Sequence, residues 1–206
     1  VALREAWPEA RVDWMVREGL EQAVTSHPAL TRVWPFPRQR FRRMYRPSVA
    51  RAIWQWGWDL RKGGYDLVLD CQGLLRSGIM SWVTRARWRV GSRQAREMGW
   101  LGYSIRHDQP HSMHSVDQML DLLVAIGLEV PSVPDMRLYV AEADRDWWAG
   151  EETGMSGKRY AVIAPTSRWL DRRWPAERFR ELAMHLPDVG IEGAVLLGAP
   201  GEEQQA

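Results

Sequence analysis

The chain has 206 residues, 45% of them hydrophobic, with 28 Arg/Lys against 26 Asp/Glu and a net charge of +2. That length allows one large domain or two small ones, and the near-neutral balance excludes a global field that would draw the protein onto nucleic acid. The single cysteine, Cys71, excludes an intrachain disulfide, and no apolar run approaches the roughly 18–20 residues of a membrane span.

VALREAWPEA reads as the tail of a helix, and GEEQQA stops just after a strand, so the chain is expected to be cut from a longer protein. Ala10–Val16 reads as a short strand, EGLEQAV as a short helix, and Leu30–Phe36 as a second strand closed by Pro35 and Pro37. An arginine-rich loop comes next: Arg38, Arg40, Arg42, Arg43 and Arg46 fall within nine residues, with no acid among them. Guanidinium suits bidentate capture of phosphate or carboxylate, while a solvated face is the plainer reading of such a run. Ser48 is placed to cap a helix from Val49 to Lys62, which Gly63-Gly64 ends. Tyr65–Cys71 is a third, buried strand, Leu74–Thr84 an apolar helix and Trp88–Gly91 a fourth strand.

SRQAREMGWLGYSIRH has no clear period and is expected to be a loop with short turns. HSVDQMLDLLVAIGL spaces Val116, Met119, Leu120, Leu123 and Val124 as an amphipathic helix ended by Gly127. VPSVPDMRLYV is an extended linker, and Ala143–Gly154 a further helix. The pattern then restarts with strand Tyr160–Pro165, helix Ala176–Leu186 and strand Gly193–Pro200. Alternating strands and helices predict an α/β fold with parallel sheets covered on both faces. The expected organisation is a domain over residues 1–135, a linker and helix over 136–154, and the start of a second domain over 155–206.

Four places carry groups for chemistry. Asp70, Gln72 and Gly73 cluster where the third strand ends, the position at which ligands sit in such sheets. Carboxylate and amide can serve both sides of a sugar hydroxyl; a helix cap with a turn glycine is the other reading. In APTSRWLDRRWPAERF, Thr166 and Ser167 follow a strand, with Arg168, Arg172 and Arg173 above and a helix start at Pro175. This can hold a phosphate, or be a polar loop with Pro in the first helical turn. In LLGAPGEEQQ, Glu202 and Glu203 can accept from ribose hydroxyls or simply complement a helix N-terminus. Arg96 joins the basic loop as a group for an anionic partner. His107, His111 and His114 fit no zinc spacing, so no metal site is expected. Thirteen tryptophans, several beside arginines as in RARWRVG, read chiefly as packing residues, with nucleic-acid stacking or a membrane interface as alternatives.

The ordered set RVDWMVREG, YDLVLDCQGLLRSG, QAREM, HSVDQMLDLL, APTSRWLDRRWPAERFRELA and LLGAPGEEQ resembles the bacterial ADP-heptose:lipopolysaccharide heptosyltransferases, most of all their heptosyltransferase I branch. The resemblance implies a GT-B fold of two Rossmann-like domains facing a cleft, the first lacking its initial strand and the second incomplete. It implies a cytoplasmic, monomeric enzyme peripheral to the inner membrane that moves heptose from ADP-heptose to Kdo-lipid A. The transfer is inverting, with no metal or other cofactor and no nucleic-acid partner. On the acceptor side it implies Asp70, Gln72, Gly73, Arg96, Arg38, Arg40, Arg42 and Arg43. On the donor side it implies Thr166, Ser167, Arg172, Glu202 and Glu203. Arg172 stands where the family often has lysine in K-x-W-P, a departure that changes reach at the diphosphate. The family's catalytic aspartate is expected before Val1 and its aspartate-threonine-glycine-x-x-histidine segment after Ala206, so these residues alone are expected to be inactive. The rival readings are a related glycosyltransferase with another nucleotide sugar or acceptor, and a non-catalytic Arg/Trp-rich module for acidic lipid or nucleic acid.

Overall fold

The computed structural model describes residues 1–41, 46–110, 112–151, 157–167 and 170–198. In chain order these form α1 (Ala2–Ala6), β1 (Asp13–Arg17), α2 (Gln22–Thr25), β2 (Arg32–Phe36), α3 (Arg38–Phe41), α4 (Pro47–Lys62), β3 (Leu67–Asp70), α5 (Leu75–Thr84), β4 (Trp88–Ser92) and β5 (Ile105–His107). There follow α6 (Ser115–Asp121), α7 (Glu142–Glu151), β6 (Tyr160–Ile163), α8 (Ala176–His185) and β7 (Gly193–Leu196). The chain divides into two compact units, Val1–Tyr139 and Val140–Ala206.

Every strand pair is parallel, as the alternation of strands and helices predicts. The first unit holds two sheets, β1-β2 and β3-β4-β5, rather than one continuous sheet. Pro35 sits within β2, which that strand tolerates because it lies at a sheet edge. The two sheets are tied at the base of β1. The Tyr65 hydroxyl, just before β3, donates to Asp13 Oδ2 at 2.6 Å, and Trp34 Nε1 of β2 donates to the Tyr65 oxygen at 2.7 Å. Burial, then the Asp13 carboxylate, pushes the Tyr65 phenol up to about 12. The buried apolar residues of this unit, among them Trp34, Leu60, Val90, Tyr103 and Leu122, collect around these sheets.

Several local expectations are corrected. The long helix begins at Pro47, with Arg46 rather than Ser48 at the N-cap, because proline is well suited to the first helical position. The basic run is not all loop: Arg38–Phe41 makes one helical turn after Pro37. The stretch from 92 to 107 contains a 3-10 segment over Arg96–Gly102 and the strand β5, too short to show a period. The helix ended by Gly127 is broken into α6 and a 3-10 turn at Val124–Ile126, and Gly127 takes φ 78 as its cap.

Candidate functional site

Asp70 is the last residue of β3 and is buried at 7% exposure. Its Oδ1 accepts from the backbone N–H groups of Gln72 at 2.9 Å and Gly73 at 3.1 Å, which folds the chain sharply at the strand's carboxyl end. Gly73 takes φ +64, a left-handed conformation that costs glycine little. The other carboxylate oxygen, Oδ2, accepts from the Tyr103 hydroxyl at 2.6 Å. Burial and then Asp70 push the Tyr103 phenol far up, so it remains a proton donor throughout the ordinary pH range. The Tyr103 ring lies directly over Gly91 of β4, where any Cβ would overlap it. Both Asp70 oxygens are therefore engaged inside the protein. Asp70 thereby builds the turn that displays the neighbouring groups.

Those groups meet Arg96. Its backbone N–H donates to the Gly73 carbonyl at 2.8 Å, joining two segments that are far apart in sequence. The 96–102 segment is pressed onto α5 through Gly78, Gly99 and Gly102, each so close to the facing backbone that a Cβ would overlap it. Inside that segment Glu97 and Met98 hold φ of 54 and 63, at a cost of about 1–2 kcal/mol each for residues with a Cβ. The close glycine packing holds this strained bend in place. At its mouth Gln72 and Arg96 are exposed, and Gln72 Oε1 accepts from Arg76 Nε at 3.3 Å. An amide, a guanidinium and a turned backbone can together grip hydroxyls or a carboxylate.

Arg38 stands elsewhere in the same unit. With Arg17, Glu18, Gly19 and Gln39 it lines a cleft of about 280 Å³ just past the carboxyl ends of β1 and β2. Arg40 is exposed on the same short helix, whereas Arg42 and Arg43 lie outside the described residues. Neither Arg38 nor Arg40 shares a hydrogen bond or ion pair with the Gly73–Arg96 cluster among the described residues. Arg17, Glu18 and Tyr103 escaped the reading of the sequence. Arg17 and Glu18 had a signal, since they follow directly on a strand end.

In the second unit, Thr166 and Ser167 follow β6 and are half-buried. Arg173 Nε donates to the Ser167 carbonyl at 2.6 Å, so Arg173 holds this loop, while Arg172 is exposed at the end of a 3-10 turn. Pro175 is the N-cap of α8 and supplies no side-chain cap, so the helix presents backbone N–H groups toward this end. Trp174 packs edge-to-face on Phe179 at 5.2 Å and fixes the approach to the helix. Arg168, Glu202 and Glu203 lie outside the described residues. His107 pairs with Asp121 at 2.8 Å, and among the described residues no three His, Cys, Asp or Glu come together as a metal site.

Parallel α/β sheets with turned loops at their carboxyl ends put this chain among the α/β folds that carry their sites beyond the strand ends. The sequence profile of glycosyltransferase family 9 (heptosyltransferase) matches residues 53–206, and the chain belongs to this family. It is 30% identical over 214 residues to lipopolysaccharide heptosyltransferase 1 of Escherichia coli, covering 98% of this chain and 63% of the relative. It is 29% identical to the Pseudomonas aeruginosa protein of the same name, over 98% of this chain and 56% of that protein. The structure of E. coli heptosyltransferase WaaC with ADP-2-deoxy-2-fluoro heptose superposes with a TM-score of 0.79 at 28% identity, covering 100% of this chain and 65% of that one. The chain thus spans between 56% and 65% of the length of these relatives.

Proposed function

We propose that this protein transfers a heptose from ADP-heptose to a Kdo-lipid A acceptor in lipopolysaccharide biosynthesis. The observation that carries the reading is family membership over residues 53–206 together with a built loop at the strand ends of each unit. Likeness to a structure holding an ADP-heptose analogue supports the donor. In this reading residues 1–135 form the acceptor domain and 155–206 the donor domain, within the compact units Val1–Tyr139 and Val140–Ala206.

The Asp70 turn presents Gln72, the Gly73 backbone and Arg96 to hydroxyl and carboxylate groups of the acceptor sugar. Arg38, Arg40, Arg42 and Arg43 meet its anionic groups. Thr166, Ser167 and the N-terminus of α8 face the donor diphosphate, with Arg172 as its cation and Glu202 or Glu203 on the ribose. Transfer is an inverting displacement. The acceptor hydroxyl gives its proton to the aspartate base implied by the family resemblance, and its oxygen bonds to the anomeric carbon as the bond from that carbon to the diphosphate oxygen breaks. Guanidinium and helix-terminal N–H groups stabilise the charge developing on the leaving ADP, and in this reading no metal is required. The enzyme acts as a cytoplasmic monomer at the inner membrane.

Thermal-shift titration with ADP-heptose, ADP-glucose and UDP-sugars tests the donor. The largest stabilisation is expected with ADP-heptose, and an equal or larger shift with a UDP-sugar contradicts it. Arg172→Lys sharpens the test, because restoring the commoner family residue should preserve ADP-heptose affinity within about threefold.

A further inference from the structure

Charge is segregated along this chain. Residues 22–96 carry fifteen Arg or Lys and three Asp, a net of +12 within a protein of net +2. Within that stretch α4 turns Ile53, Trp56 and Leu60 inward, with Trp56 edge-to-face against Phe36 and Phe41 at 5.6 and 5.8 Å. Its opposite stripe, at alternating helical steps of three and four, reads Arg51, Trp54, Trp58 and Arg61. Trp54 and Trp58 are 64% and 40% exposed, and their rings stack at 5.7 Å with 10° between planes. The Arg61 guanidinium lies 5.3 Å from the Trp58 ring. The one acid on this helix, Asp59, accepts from Gln55 Nε2 at 3.1 Å.

The neighbouring helix continues the theme. α5 packs on α4 where Gly57 meets Val83, and it leaves Leu75, Ile79 and Trp82 exposed at 41%, 51% and 61% on a single stripe. From Cys71 through Arg96 there is no acid, while six arginines occur.

We propose that this face of α4 and α5 docks on an anionic bilayer, with the tryptophans at headgroup level and the arginines on lipid phosphates. The proposal deepens the membrane side of the heptose-transfer reading and rests on it only for the acceptor's location. Basic residues flanking exposed aromatic and aliphatic side chains on helices that lie flat are what a bilayer interface takes up. Single-stranded nucleic acid would use the arginines and tryptophans but has no partner for Leu75 and Ile79. No helix among the described residues is long and apolar enough to cross the membrane, so the contact is one of lying on the surface.

The test is vesicle flotation of the 206-residue chain. Binding is expected to phosphatidylcholine vesicles containing about one third phosphatidylglycerol, and to weaken with salt or without the anionic lipid. Trp54→Ser with Trp58→Ser should lower partitioning at least about tenfold with an unchanged melting temperature, since both side chains are exposed. Lipids brominated on the acyl chain should quench the parent's tryptophan fluorescence more than the variant's. Arg51→Glu with Arg61→Glu should remove the preference for anionic lipid. Equal partitioning of parent and tryptophan variant overturns the proposal. So does displacement of the parent from vesicles by a single-stranded oligonucleotide that the tryptophan variant no longer binds. ADP-heptose titration of the same variants keeps the two readings apart. Lost flotation of the variants with intact donor binding supports the docking face, and flotation of the parent without donor binding retains the face while removing the transfer reading.

Discussion

The two compact units use the same parallel βα grammar with different depth of burial. In the first, β4 runs through a core in which Val90 is fully buried and Leu60 and Leu122 are each 2% exposed. In the second, Ile163 is the one buried residue among those described, and Val162 and Leu196 on the paired strands β6 and β7 are each 57% exposed. A sheet of two strands gives its side chains little to pack against, whereas a third strand and flanking helices close over the middle one. The loop after β3 is correspondingly anchored from several directions, by Asp70, Tyr103 and the glycine contact with α5. In the loop after β6, Arg173 Nε holds the Ser167 carbonyl.

The comparison can be broken most forcefully at Gly78. A Cβ there overlaps the Gly99 carbonyl, so Gly78→Ala should cost about 3 kcal/mol or more and shift Arg96, read as a lowered melting temperature and displaced amide resonances at 95–97. Matched valines come next: Val90→Ala should cost about 2 kcal/mol, and Val162→Ala less than about 0.5, by denaturant unfolding. Equal losses would mean that the second unit has a core as firm as the first. Tyr103→Phe leaves Asp70 Oδ2 without its hydroxyl donor and should cost about 1–3 kcal/mol, with faster exchange of the Gln72 and Gly73 amides. The smallest effect is at alkaline pH. The Tyr65 phenol is raised in the folded state from 10.0 to about 12, so its contribution is complete below pH 10 and is lost as pH rises toward 12. Tyr65→Phe should flatten that part of the stability curve relative to the parent.

What could be read from the sequence follows the range of the interactions involved. The strand ending in Asp70, the turn at Gly73 and the loop at Thr166 are local features, and periodicity with turn chemistry marks each. Both readings of Asp70 were open at that level, and only the Tyr103 hydroxyl, 33 positions away, commits the carboxylate to building the turn. The bond from Arg96 to Gly73 is likewise non-local, and the resemblance alone had put the two on one side. Strand β5 went unseen because three residues, Ile105 to His107, carry no period and draw their strand character from pairing with β4. The turn at Arg38 was masked by its charge, since a basic run reads as solvated whatever its backbone does.

In the proposed heptose transfer, each unit contributes a binding loop beyond its own strand ends. Amide hydrogen exchange with and without ADP-2-deoxy-2-fluoro heptose tests it most directly. Slowed exchange is expected at residues 164–167 and in the first turn of α8, with the amides of β3 unchanged. Slowing confined to the first unit, or none after β6 at saturating analogue, would contradict it.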